Sequence, residues 1–154
     1  MAPTSLDRIT KQIHIRAPRA RVWRAITNIQ EFSRWFGVEA DGPFMPGRHI
    51  AMVSTNEGCK GAQFYVDVQE IVPERLFSWR WYPGLMEPGI DPKKEQNTLV
   101  TFTLEDAEGG TLVTVTESGF DHVTLARRAK VYEENEAGWA HQVASLERYV
   151  GANP

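Results

Sequence analysis

Apolar and polar positions alternate along most of this chain, and in three places they switch to helical spacing. Lys11 to Arg16 sets Ile13 and Ile15 against Gln12, His14 and Arg16, the period of a half-buried strand. Pro18 has no N–H and a φ fixed near helical values, so it suits the first turn of a helix carrying Val22, Trp23 and Ile26. Ile29, Phe32, Trp35 and Phe36 follow at spacings of three and four and predict a second short helix ending near Gly37. The period then returns to two. Arg48 to Val53 and Ala62 to Val72 read as strands joined through Asn56-Glu57-Gly58. Ile71 and Val72 break the phase of Phe64, Val66 and Val68, which predicts a bulge or twist before Pro73.

Pro73-Glu74-Arg75 turns the chain into Phe77-Ser-Trp-Arg-Trp-Tyr82, where alternation puts Phe77, Trp79 and Trp81 on one face and Ser78 and Arg80 on the other. Pro83 to Gln96, rich in proline and glycine, is the longest irregular segment and a candidate lid. Thr98 to Leu104 and Leu112 to Ser118 form a hairpin about Glu108-Gly109-Gly110. Val131, Asn135, Trp139, Gln142, Val143, Leu146, Tyr149 and Val150 mark the inner stripe of a long amphipathic helix. Gly138 inside it costs about 1 kcal/mol relative to alanine and is read as permitting close approach to the sheet beside Trp139.

The order is therefore a strand, two short helices, about six antiparallel strands and one long helix. This is an α+β arrangement in which the helix lies on a curved antiparallel sheet, each covering the other's apolar side.

Composition narrows the classes without changing that picture. The chain has 154 residues, 42% of them hydrophobic and 24% charged, which suits one domain with a real core. That domain is expected over residues 7–150, with flexible termini at 1–6 and 151–154. Seventeen Lys and Arg against 20 Asp and Glu leave a net charge of −3 and no basic excess for a phosphate backbone, so nucleic acid is not the expected partner. Cys59 is the only cysteine, which excludes an intrachain disulfide. Met1 to Asp7 lacks the basic and apolar regions of a signal peptide, and no run reaches membrane-spanning length. A cytoplasmic protein without membrane insertion is expected.

Several motifs together carry a family likeness: Ile13-x-Ile15-x-Ala17-Pro18-x-x-x-Val22-Trp23-x-Ala25-Ile26, Pro73-x-Arg75-Leu76-Phe77-x-Trp79, Thr116-Glu117-Ser118-Gly119-Phe120 and Gly138-Trp139. In order and spacing they resemble the activator of heat-shock protein 90 ATPase homologue family, within the START-like, birch-pollen-allergen-like SRPBCC superfamily of helix-grip domains. The resemblance implies a sheet of six or seven strands gripping the C-terminal helix, with a hydrophobic cavity between them. Relatives in the superfamily bind lipids, hormones or polyketides, and some catalyse cyclisation or hydrolysis. The family name also brings in chaperone association, and a homodimer stays open.

Three large rings at spacing two each bury roughly 150–250 Å², so they either fill a core or line a cavity. In the cavity reading, Phe77, Trp79 and Trp81 are joined by Trp35, Phe64, Phe102, Trp139 and Val143 around a small apolar or aromatic ligand. Glu117 shares the phase of Val113 and Val115 and is the candidate acid or base of a cavity cyclase, dehydratase or hydrolase. Burial penalises the charged form of a carboxylate and would suit it to proton transfer. The plainer reading, favoured here, has strand twist near Gly119 carrying Glu117 to a solvated rim. Binding rather than catalysis is the first reading overall.

His14, His49, His122 and His141 have no metal-binding spacing, and no phosphate loop, nucleotide fingerprint or nucleophile elbow occurs, so neither metal nor cofactor is expected. His14 and His141 read as solvated, and His49 and His122 lie near irregular ends where a pocket role is open. Cys59, beside Lys60, reads as an exposed, inert thiol. Arg127, Arg128 and Lys130 followed by Glu133, Glu134 and Glu136 read as a solvated helix face, with Lys130 and Glu134 at pairing distance.

Overall fold

The computed structural model describes residues 7–56, 60–83, 98–123 and 125–154. The thiol of Cys59, the Glu57-Gly58 turn and the segment read as a lid, from Gly84 to Gln96, lie outside the described residues, as does the side chain of His122.

The chain runs β1 (Arg8–Ile15), α1 (Arg19–Thr27), α2 (Ile29–Phe36), β2 (Val38–Ala40), β3 (His49–Ser54), β4 (Gln63–Val72), β5 (Leu76–Trp81), β6 (Thr98–Ala107), β7 (Gly110–Ser118) and α3 (Leu125–Ala152). The strands form one antiparallel sheet of seven, in the order β1-β7-β6-β5-β4-β3-β2. This is the α+β helix-grip arrangement expected from the sequence, a curved sheet around a long C-terminal helix. The three-residue β2 is an addition, too short to leave a periodic signature. Among the described residues no helix is long and apolar enough to cross a membrane.

Local chemistry sets the two short helices. Pro18 sits one residue before α1, at the N-cap, and its carbonyl accepts from the N–H groups of Arg21 and Val22. Asn28 closes α1 through its backbone N–H to the Arg24 carbonyl and opens α2 by accepting from the Glu31 N–H at 3.0 Å. Gly37, at φ 78°, ends α2 in the left-handed conformation that glycine adopts without strain. The inner face of α2 buries Phe32, Trp35 and Phe36, each large ring contributing about 1.5–3 kcal/mol by leaving water.

The phase break in β4 is a bulge between Val68 and Ile71. It corrects one detail of the alternation: Ser78, on the face of β5 away from the rings, is buried, because the bulge brings the Glu70 N–H to its Oγ at 3.2 Å. α3 packs along the sheet through Val131, Trp139, Leu146 and Val150. It continues through Ala152, and Arg21 holds the Asn153 carbonyl at 2.6 and 2.9 Å.

Lys130, Glu133, Glu134 and Glu136 are exposed as expected, whereas Arg127 and Arg128 are only partly so. Arg127 lies 4.7 Å from the centre of the Tyr82 ring and donates to the Pro83 carbonyl, while Arg128 donates to the carbonyls of Asp121 and Val123. Arg128 thus ties α3 to the short 3-10 turn at Phe120–His122.

Candidate functional site

The ring row of β5 runs from core to cavity. Phe77 is fully buried against Phe44 and Phe102. Trp79, also fully buried, packs among the rings of Phe32, Phe36, Phe102 and Trp139. Its buried indole N–H has no hydrogen-bond partner among the described residues. Trp81, half-buried at the end of the strand, faces a cavity of about 630 Å³ between the sheet and α3. The core-or-cavity alternative therefore resolves along a single strand, two rings to the core and one to the wall.

Phe36, Val38, Phe64, Trp81, Tyr82 and Trp139 give the cavity its apolar surface, and Ser54, Asn56, Gln63, Glu134, Asn135 and Gln142 its polar groups, with Ala62 and Gly138 completing it. Of the residues proposed from sequence, Phe64, Trp81 and Trp139 stand on this wall. Trp35, Phe77, Trp79, Phe102, Val143 and Glu117 lie behind it. Trp35 does so because its indole N–H is taken by the Ala25 carbonyl at 2.7 Å, which pins α2 to α1.

Glu117 corrects the rim reading: it is completely buried. Register explains the burial. Glu117 on β7 lies opposite Val100 on β6, and Thr98, two residues before Val100, lies opposite Trp81 on β5, so all three side chains share the inner face. Asn135 and Trp139, four residues apart on one face of α3, approach from above. Oε1 accepts from Trp139 Nε1 at 2.8 Å and Asn135 Nδ2 at 3.0 Å. Oε2 accepts from Trp81 Nε1 at 2.8 Å, Thr98 Oγ1, and Asn135 Nδ2 at 3.1 Å. Every partner is a donor, the arrangement suited to a carboxylate that only accepts. Glu117 thus fixes the two indoles of the wall in place, with their N–H groups turned away from the cavity.

The opposite side of the cavity is organised by the end of α2. The Phe36 carbonyl, left without an intrahelical partner, accepts from Gln142 Nε2 at 2.9 Å and Asn56 Nδ2 at 3.3 Å. The bond from Nε2 orients the Gln142 amide, leaving a buried Oε1 with no hydrogen-bond partner among the described residues. Gly138 differs from its expected role. A Cβ there would meet nothing within 4 Å, so the glycine opens space at the cavity edge instead of bringing α3 close to the sheet.

The polar residues of this site escaped the sequence reading as site residues, though a signal existed. Thr98 keeps phase with Val100 and Phe102, and Asn135 and Gln142 occupy the apolar stripe of α3. Polar groups in phase with a buried face need partners there. His14 and His49 lie elsewhere: His14 bonds the Glu108 carbonyl at 2.8 Å, and His49 pairs with Asp67 at 2.6 Å while stacking on Tyr65. No group of residues suited to a metal ion occurs among the described residues.

Known structures share this architecture. A protein from Mesorhizobium loti, MLL2253, aligns with a TM-score of 0.75 at 20% identity, over 96% of this chain and 98% of its own. A protein from Arthrobacter aurescens reaches a TM-score of 0.78 at 16% identity, over 99% and 91%. The Aha1 dimer from Colwellia psychrerythraea reaches 0.70 at 22% identity, over 93% and 95%. Likeness at these identities establishes the fold alone. A search of curated proteins gives no match. The sequence itself matches the family model described as activator of Hsp90 ATPase homolog 1-like protein over residues 16–151, from the end of β1 almost to the end of α3. With the seven-stranded grip around α3 agreeing, the chain belongs to the activator of Hsp90 ATPase homolog 1-like family.

Proposed function

We propose that this protein binds a small, largely apolar ligand in the cavity between the open end of the sheet and α3. Gly138 carries the reading. A glycine inside a helix forgoes about 1 kcal/mol relative to alanine, and here no neighbouring atom requires the missing Cβ. What the glycine preserves is room, beside a space of about 630 Å³ that falls within the usual range of small-molecule sites, roughly 300–1,000 Å³.

Binding is favoured over catalysis by the state of Glu117. Both its oxygens are occupied by protein donors, and it sits behind the wall rather than on it. An acid or base needs a free oxygen within reach of the proton it moves. Chaperone association and homodimerisation are partner readings that come with the family and with the Colwellia Aha1 dimer.

Native mass spectrometry of protein purified from its own host is expected to show a retained adduct of small-molecule mass. In parallel, an environment-sensitive apolar fluorophore is expected to bind the native chain, and Gly138→Leu, which fills the open space, is expected to displace it while leaving the circular dichroism spectrum unchanged. Equal probe binding by the native chain and the leucine variant would overturn the proposal.

A further inference from the structure

The cavity carries a charge bias as well as a shape. Among its described lining residues Glu134 is the one charged side chain, standing exposed at the mouth. A second carboxylate, Glu117, lies directly behind the wall, bonded to the indoles of Trp81 and Trp139. An indole whose N–H donates to a carboxylate gains electron density, and the negative face of an aromatic ring attracts cations. α2 ends at the cavity with its carbonyl end, the negative end of the helix dipole. Arg127 sits over the ring of Tyr82, a lining residue, and donates to the Pro83 carbonyl.

We propose that the cavity selects organic cations, taking an apolar body with a protonated amine and discriminating against the same body with a carboxylate. The inference rests on the cavity-binding reading above and deepens it. The apolar body occupies the space bounded by Phe36, Phe64, Trp81 and Trp139. The ammonium pairs with Glu134 at the mouth and lies against the indole faces of Trp81 and Trp139. A carboxylate in its place would face the Glu134 charge and the electron-rich indole faces.

A matched series of 4-phenylbutylamine, 4-phenylbutanol and 4-phenylbutyrate, titrated by calorimetry into the full chain, separates body from charge. The amine is expected to bind about tenfold more tightly than the acid, with the alcohol between them, in line with cation–π and charge contributions of this size. Glu134→Gln, an exposed substitution, is expected to reduce the amine's advantage over the acid about threefold. Equal binding of all three, or preference for the acid, overturns the cation inference while leaving the cavity as a site. Loss of all three together with the apolar fluorophore overturns the binding reading itself.

Discussion

Glu117→Gln tests whether the buried carboxylate holds the sheet and α3 together. The substitution keeps the shape and turns one accepting oxygen into a donating NH2 group. If the nitrogen replaces Oε1, it faces the donors of Trp139 and Asn135, and the Trp139 N–H is stranded. If it replaces Oε2, Thr98 can rotate its hydroxyl to accept, but the Trp81 N–H is stranded instead. Each orientation leaves at least one buried donor unmade, at about 1–3 kcal/mol, and weakens the rest by removing the charge that assists them. A loss of about 2–4 kcal/mol follows, equivalent to a fall in Tm of about 4–16 °C for a chain of this length. Urea unfolding followed by tryptophan fluorescence measures it, with an unchanged m value confirming that the native state is compared with the same unfolded state. Thr98→Val removes one donor and leaves the carboxylate its other partners, so about 1 kcal/mol is expected. A Glu117→Gln loss below about 0.5 kcal/mol, no more than an ordinary surface change, would refute the role assigned to this group.

Gly138→Ala should raise stability by up to about 1 kcal/mol, because it improves helix propensity where a Cβ meets nothing; a destabilised variant in thermal melts would contradict the open geometry. Gly37→Ala should cost about 1–3 kcal/mol, since φ there is 78° and a Cβ would collide with the Asn56 side chain; chemical denaturation checks it, and a neutral result would contradict the left-handed cap. Glu31 bonds to Tyr149, Arg21 and Arg24. Burial pushes its carboxyl upward, but the hydrogen bonds from Tyr149 and Arg21, with the charge of Arg21 and the bond from Arg24, hold it below the ordinary 4.5. Its contribution is therefore complete above about pH 4.5 and lost as pH falls through the lower folded value. Glu31→Gln should flatten the stability profile in that acid range, and identical pH profiles for the two proteins would argue against the linkage.

Much of the fold was legible because periodicity reports which side of an element meets a core. Phe32, Trp35 and Phe36 at helical spacing, Ile13 with Ile15, and the Val100-Phe102-Leu104 alternation each placed a buried face correctly. The break at Ile71 marked the β4 bulge. The site was less legible because several ring positions with one inward phase have different depths. Phe77 and Trp81 share an alternation, yet one is sealed among Phe44 and Phe102 and the other reaches the cavity. The strand pattern records the face of a residue and not how far the sheet extends beyond it. Gly138 misled for a related reason, since a glycine signals a missing side chain without saying whether another atom or empty space takes its place.

The sequence by itself determined the order of the elements apart from β2, the inward phase of most of them, the long C-terminal helix that covers the sheet and the family likeness. These depend on contacts within a few residues and on motifs carried in order. Only the tertiary structure decided that Glu117 would be buried under two indoles, one from β5 and one from α3, and that the space beside Gly138 would stay open. Both depend on register between strands and on the seat of α3, which bring together residues far apart in the chain. A hydrogen-bond cluster exists only where such elements meet, and a cavity only where they fail to.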